Sequence, residues 1–136
     1  MVEVAGIWEQ GWNTPIAESV QWEMMLREYG VNALSMCPVS GIAAPWGAAP
    51  WIKEYANMDE LLASKPGLTW VFVTENGGSE LSEFEHPENA LYVFGRASQS
   101  VPVPDGALTV KIAPGKGCLW AHQACAVVLY DRHLKQ

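Results

Sequence analysis

Three predicted strands end at residues that could bring main-chain groups close to a ligand. They end at Thr74, at Gly95 after the run LYVF, and at Ala113, which Pro114 and Gly115 follow. Glycine lacks a Cβ, so the main chain beside it can approach a bound molecule closely. In parallel sheets, ligands bind at the carboxyl ends of the strands. The pattern predicts a ligand site at this edge; the alternative is that both glycines only form turns.

The sequence offers little for metal chemistry or disulfides. Its three cysteines are Cys37, Cys118 and Cys125; none forms a CxxC pair, and no histidine stands at zinc-ligand spacing. Such cysteines are typical of buried thiols in a reducing compartment. We therefore expect neither a metal nor a disulfide framework.

The length and charge of the chain limit the number of domains and the kinds of partner that it can bind. A chain of 136 residues, 49% hydrophobic, predicts one domain over residues 1–136. The net charge of −7 disfavours autonomous nucleic-acid binding. The start, MVEVAGIWEQ, lacks the basic and apolar regions of a signal peptide, and no apolar run is long enough for a membrane helix, so we expect a cytoplasmic protein.

Strand and helix patterns alternate along the chain. Thr14 is a plausible N-cap and Pro15 a first helical residue. The strands are apolar throughout, which predicts an α/β fold with a largely parallel sheet flanked by helices. The predicted strands are Val2–Trp8, Val31–Cys37, Leu68–Thr74, Leu91–Phe94 and Leu108–Ile112; the helical segments are Pro15–Tyr29, Asn57–Leu62, Leu81–Phe84 and Cys118–Leu134; Pro38–Pro50 is a long connection.

The first and last helices carry more apolar residues than one buried face needs. The last helix is apolar on nearly every side between Ala124 and Tyr130, and the first presents Val20 and Met24. A helix of this kind lies either at the centre of a protein or in a subunit interface. We therefore predict a homodimer with two-fold symmetry through these two helices.

Five segments, taken in order, resemble the SPOUT RNA methyltransferases, in particular their tRNA/rRNA 2'-O-ribose branch. The segments are IWEQGWNTP, YGVNALSMCPVSG, ALYVFGR, VKIAPGKG and CLWAHQACAVVLYD, which span nearly the whole chain. The resemblance implies a C-terminal trefoil knot, a homodimer, and S-adenosylmethionine bound among three loops. It assigns the cofactor contacts to Thr74, Glu75, Gly95, Arg96, Ile112, Ala113, Gly115 and Leu119.

The sequence departs from the family where catalysis is expected. Asn13 matches, but Ser19 stands where the resemblance implies a catalytic arginine. The other departures are Ala97, Ser100, Trp120, His122 and Gln123. Methyl transfer needs an oriented nucleophile and a group that takes its proton, so another residue must replace the arginine.

Three side chains are candidates for that role, each with a simpler alternative. Glu18 could accept a proton or only balance the helix dipole. Arg96 could hold an acidic substrate or an RNA phosphate, or be a solvated loop charge. His122 could act near the start of the last helix or be a core or interface residue. His86 and His133 are predicted at the surface.

Two functions from different classes therefore remain. One is an S-adenosylmethionine-dependent methyltransferase acting on RNA; the other is a non-catalytic knotted dimer that binds the cofactor, RNA or a protein. Few cations lie near the motif loops, so RNA binding is expected to be weak. They are Lys53, Arg96, Lys111 and Lys116. Of the seven tryptophans, Trp8, Trp22 and Trp70 are predicted as packing anchors, whereas Trp46 and Trp51 could be anchors or base-stacking platforms.

Overall fold

The structure is a computed structural model that describes residues 1–8, 15–31, 33–38, 51–74, 78–95, 102–112, 119 and 121–136, with main chain alone at 7, 8, 15–18 and 38. The strands are β1 (Val2–Trp8), β2 (Leu34–Pro38), β3 (Ile52–Glu54), β4 (Thr69–Val73), β5 (Ser79–Glu80), β6 (Ala90–Phe94) and β7 (Leu108–Lys111). The helices are α1 (Pro15–Glu28), α2 (Met58–Ala63) and α3 (Ala121–Lys135), with a 3-10 turn at Leu81–Glu83.

The strands form one seven-stranded sheet in the order β3-β2-β1-β6-β4-β7-β5, and every pairing is parallel. The predicted α/β fold with a largely parallel sheet is therefore confirmed. The central strand is β6, whose five residues are all buried. A strand covered on both faces is apolar throughout, which explains the continuous run at Ala90–Phe94.

Helices cover both faces of the sheet. Trp22 and Leu26 of α1 and Val128 of α3 share one core with Tyr92 and other strand residues, so these two helices lie on the same face. The opposite core joins Leu61 and Leu62 of α2 to strand residues including Leu91 and Val93. Alternate residues of β6 thus enter opposite cores, as the pleat of a strand requires. Burial of Trp22 confirms it as an anchor.

The ends of α1 and α2 follow from local sequence. α1 begins at Pro15, as predicted, while Thr14 lies outside the described residues. It ends at Glu28, one residue earlier than predicted, and Gly30 then adopts a φ of 75°, which glycine tolerates at a helix end. Asn57 caps α2: its side chain accepts a 2.8 Å hydrogen bond from the main-chain N–H of Glu60.

The sequence patterns missed two short edge strands. β3 and β5 hold three and two residues, and β5 is wholly polar, so neither produces a periodic signal. Main-chain pairing with β2 and β7 defines them instead. The remaining limits shift by a few residues: β2 begins at Leu34 rather than Val31 and includes Pro38, and α3 begins at Ala121 rather than Cys118.

Within the described residues, no helix is long and apolar enough to cross a membrane. The same part of the chain contains no cluster of three or more His, Cys, Asp or Glu side chains arranged to hold a metal ion. Cys37 and Cys125 are both buried, as predicted for these thiols, while Cys118 is outside the described ranges.

Candidate functional site

The sheet brings three of the predicted cofactor residues to one edge. Val73 lies opposite Phe94 of β6 and opposite Val110 of β7, so the residues that follow these strands emerge side by side. They are Thr74, Gly95 and Ile112. The main-chain N–H of Thr74 donates a 2.9 Å hydrogen bond to the carbonyl of Val110, which fixes the first of these ends. The predicted carboxyl-edge site is therefore geometrically coherent.

The described side chains at this edge are compatible with S-adenosylmethionine. Ile112 is half-buried and packs against the core beneath α3, and Leu119, just before α3, is 45% exposed. An apolar pair of this kind suits the face of an adenine ring. Thr74 and Gly95 add small, uncharged groups. Glu75, Arg96, Ala113 and Gly115 lie outside the described residues.

α1 and α3 meet beside the end of β6, and His122 lies at this junction. Its ring packs edge-on against Trp22, with centroids 6.1 Å apart, and Trp22 packs edge-on against Phe94 at 6.4 Å. Phe94 directly precedes Gly95. Burial lowers the pKa of His122 below its ordinary value of 6.5, so the imidazole is neutral at pH 7 and can accept a proton.

The other predicted catalytic residues are not located by the structure. Asn13 and Arg96 fall outside the described ranges, and for Glu18 only the main chain within α1 is described. His122 is thus the one member of the predicted catalytic set whose side chain has known surroundings. One neighbour of its ring is Trp22, which in turn packs against Phe94 at the end of β6.

The prediction that His86 lies at the surface is wrong. Its side chain is 5% exposed, and its two ring nitrogens lie 2.7 Å from the hydroxyl of Tyr92 and 2.7 Å from a carboxylate oxygen of Asp131. Tyr92 lies six residues along the chain on β6 and Asp131 lies 45 residues along the chain on α3, and no local pattern links them to His86. His133 is exposed, as predicted. His86 lies in the segment before β6, at the amino end of that strand, whereas Thr74 and Gly95 follow the carboxyl ends of β4 and β6.

The parallel strand order and the helices on both faces define an α/β protein. Comparison with solved structures shows that its fold is that of the TrmH/SpoU RNA methyltransferases, as the resemblance implied. No protein-family model matches the chain, and no curated protein matches it by sequence. The likeness is to solved structures, at identities that establish the fold alone.

Three of these structures illustrate the likeness. A protein solved to explain 2-OH methylation of C/U34 on tRNA is 18% identical, with a TM-score of 0.73 over 97% of this chain and 94% of that one. The A. aeolicus TrmH/SpoU tRNA modifying enzyme is 18% identical, with a TM-score of 0.69 over 98% and 76%. The SpoU methyltransferase AviRb of Streptomyces viridochromogenes, in complex with AdoMet, is 15% identical, with a TM-score of 0.70; the alignment covers all of this chain and 61% of AviRb.

Proposed function

We propose that this protein is an S-adenosylmethionine-dependent methyltransferase that acts on RNA, with the ribose 2'-hydroxyl as the methyl acceptor. The observation that carries the proposal is the convergence of Thr74, Gly95 and Ile112 at one sheet edge, in a fold whose solved examples include AdoMet-bound RNA methyltransferases. Membership of the SPOUT group, with its knot through the loops after β6 and β7, is part of the proposal.

The chain's residues would hold the cofactor through main chain and apolar side chains. By resemblance, Gly95 would lie beside the methionine part, and Ile112 and Leu119 would flank the adenine. Glu75, Arg96, Ala113 and Gly115 complete this set by resemblance. When bound, the cofactor would supply a methyl group on a sulfonium. The thioether that this sulfonium becomes is a neutral leaving group, so no acid is needed. The protein must therefore orient the hydroxyl and remove its proton.

His122 is the proton acceptor in this proposal. Ser19, which replaces the arginine of the resemblance, precedes Trp22 by three residues, so the two residues lie on one side of α1. Trp22 contacts the ring of His122. The imidazole therefore lies on α3 close to the turn of α1 that contains Ser19. One ring nitrogen of neutral His122 would take the proton of the substrate hydroxyl. Asn13, Glu18 and Arg96 remain candidates for orienting the substrate.

Calorimetry and methyl transfer test the proposal at two levels. We expect the protein to bind one S-adenosylmethionine per chain, and Gly95→Leu to abolish binding because the new side chain occupies the ligand's space. Gly67→Leu is the matched control, since no other atom lies within 4 Å of an added Cβ there. Absence of binding by the unsubstituted protein would refute the methyltransferase proposal.

The catalytic step has its own readout. With bulk tRNA or rRNA and labelled S-adenosylmethionine, we expect His122→Asn to lower the transfer rate by about 10²-fold or more, within the usual range for general-base removal, while cofactor binding persists. The wild-type rate should rise with pH through a pKa below 6.5 and then level off, and His122→Asn should lose this rise. An unchanged rate in His122→Asn would remove His122 from the mechanism without touching the cofactor site.

The proposed assembly is a homodimer through α1 and α3. Met24 of α1 is 68% exposed and Tyr130 of α3 is 54% exposed, and the two helices contact one another. A second copy would cover this apolar surface. We expect light scattering to give twice the chain mass of 14.9 kDa at micromolar concentration, and Met24→Lys with Tyr130→Lys to give the monomer. A monomeric wild-type protein would contradict this assembly.

RNA binding by the isolated protein is expected to be weak, as the few cations near the loops indicate. We expect a Kd for bulk tRNA no tighter than about 1 μM at physiological salt, with a shallow salt dependence, because few phosphates can be neutralised.

The second candidate function is a non-catalytic dimer that binds the cofactor, RNA or a protein. The departures at Ser19, Ala97 and Trp120 favour it. Cofactor binding with no transfer to any cellular RNA would select it. We further propose a cytoplasmic location, where both RNA substrates and reduced thiols are found.

A further inference from the structure

Five polar side chains join the C-terminal half of α3 to the segment that precedes β6. We call this group the α3 clasp: His86, Tyr92, Asp131, Arg132 and Lys135. Nδ1 of His86 lies 2.7 Å from the hydroxyl of Tyr92, and Nε2 lies 2.7 Å from Oδ2 of Asp131. The same carboxylate oxygen accepts from Lys135 Nζ at 2.8 Å.

The cations of the clasp also satisfy main-chain carbonyls of the segment. Arg132 donates to the carbonyls of Pro87 and Glu88 at 2.5 and 3.0 Å, and Lys135 donates to those of Leu81 and Phe84 at 2.6 and 3.0 Å. Only Leu81–Glu83 of this segment is helical, so α3 side chains supply hydrogen bonds that regular structure does not. The clasp thus holds the segment against α3.

Hydrogen-bond chemistry fixes the protons inside the clasp. Arg132 Nη1 donates to the Tyr92 hydroxyl oxygen at 3.0 Å, and a guanidinium cannot accept, so the single Tyr92 proton points to Nδ1 of His86. Burial alone would raise the pKa of Asp131, but hydrogen bonds from Lys135 and His86 outweigh it and lower that pKa. The ionised carboxylate only accepts, so Nε2 of His86 carries the ring proton. His86 is therefore the neutral Nε2–H tautomer.

A second proton on His86 has no place in this arrangement. It would sit on Nδ1 and face the Tyr92 oxygen, which already accepts from Arg132; the Tyr92 proton would then lose its acceptor in the core. Burial disfavours the imidazolium, and the charges of Lys135 and Arg132 oppose it, while Asp131 favours it. Burial dominates and the pKa of His86 is lowered from 6.5. Phe84, edge-on at 5.0 Å, offers no compensating polar group.

We propose that the α3 clasp makes the attachment of α3 sensitive to acid. Neutral His86 holds α3 to the segment before β6, and uptake of a second proton by His86 detaches α3 from that segment. The stabilisation is complete above pH 6.5, because both the folded and the unfolded histidine are then neutral. It is lost as the pH falls through the folded pKa of His86, since the unfolded state binds the proton more tightly. This inference does not depend on the methyltransferase proposal.

Hydrogen exchange followed by mass spectrometry tests the clasp. We compare peptides from α3 and β4 at pH 7.5 and 5.0, after correction for the intrinsic exchange rate. In the wild-type protein we expect α3 to lose protection relative to β4 at pH 5.0. His86→Gln should have weakened α3 protection at both pH values, with a smaller further loss at pH 5.0 than in the wild-type protein. His133→Gln is the control and should keep the wild-type response. The pKa of His122 on α3 is also lowered, so His122→Gln measures the contribution of that ring and should keep the part of the response that is due to His86.

NMR titration of the histidine rings provides a readout that packing alone would not move. We expect the His86 ring to titrate below pH 6.5 in the folded protein, and Tyr92→Phe to raise its pKa because Nδ1 then faces no hydroxyl proton. Equal acid loss of α3 protection in His86→Gln, or a wild-type His86 that titrates at or above 6.5, would overturn the proposal.

Discussion

Replacing Gly78 with alanine is expected to destabilise the protein more than the same change at a second glycine of similar backbone conformation. Gly78 has a φ of +83°, and an added Cβ would lie 2.6 Å from the carbonyl oxygen of Thr109 and 2.7 Å from its carbonyl carbon. Both contacts are with main chain, so no side-chain rotation can relieve them. Gly78 directly precedes β5, which pairs with β7 beside Thr109.

The conformational cost and the steric cost of Gly78→Ala can be estimated separately. A left-handed conformation costs a residue with a Cβ about 1–2 kcal/mol. The steric contact requires β5 and β7 to separate, which disturbs the short β5 ladder and adds about 1–2 kcal/mol, comparable to one or two lost hydrogen bonds. We therefore expect Gly78→Ala to lower the free energy of unfolding by about 2–4 kcal/mol.

Alanine substitutions at two other glycines distinguish the conformational cost from the steric cost, when the free energy of unfolding is measured by urea or thermal unfolding. Gly106 has a φ of +87° with no atom within 4 Å of an added Cβ, so Gly106→Ala should cost only the backbone term, about 1–2 kcal/mol. Gly67 has an equally open surrounding and no positive φ, so Gly67→Ala should change stability by less than about 1 kcal/mol, in the stabilising direction. Equal destabilisation by Gly78→Ala and Gly106→Ala would refute the close approach of Gly78 to β7.

Further outcomes concern the helix cap, the thiols and the core. Asn57→Ala should lower the free energy of unfolding by about 1 kcal/mol and Asn57→Asp by much less, measured by urea titration, and equal losses would exclude a cap. Burial, with the nearby Glu60 charge, raises the pKa of Cys37 to about 11, and burial raises that of Cys125, so iodoacetamide at pH 8 should label both only after unfolding, as peptide mapping can show. Leu91→Ala should cost about 2–5 kcal/mol and exposed Leu134→Ala less than about 0.5 kcal/mol, and similar losses would misplace the core.

The sequence predicts the central elements well because burial there leaves a strong pattern. β6 and β4 are apolar runs, and α2 has a capping asparagine, so composition alone located them. The edge strands β3 and β5 were missed for the converse reason. Their residues are exposed or half-buried, and only pairing with a neighbour makes them strands. A local pattern cannot report a pairing partner tens of residues away.

Site residues show the same division. Strand ends are predictable from where apolar runs stop, and the parallel sheet then places Thr74 and Gly95 side by side. His86 was not predictable, because its partners lie on other elements: Tyr92 is within β6, and Asp131 is on α3 and reaches His86 only when α3 packs on the sheet. A histidine before a proline in a polar stretch carries no sign of that environment.

The surroundings of His122 and His86 show that α3 makes contacts at both ends of β6. His122, in the first turn of α3, meets Trp22 beside the carboxyl end of β6, whereas Asp131 and Arg132, in its last turns, meet His86 and Tyr92 before and within that strand. Burial lowers the pKa of both histidines, but with different consequences. The neutral ring of His122 lies beside the end of β6, next to the strand ends where we propose that the cofactor binds. The neutral ring of His86 is enclosed by fixed donors and acceptors, so its proton balance affects the attachment of α3 rather than a substrate.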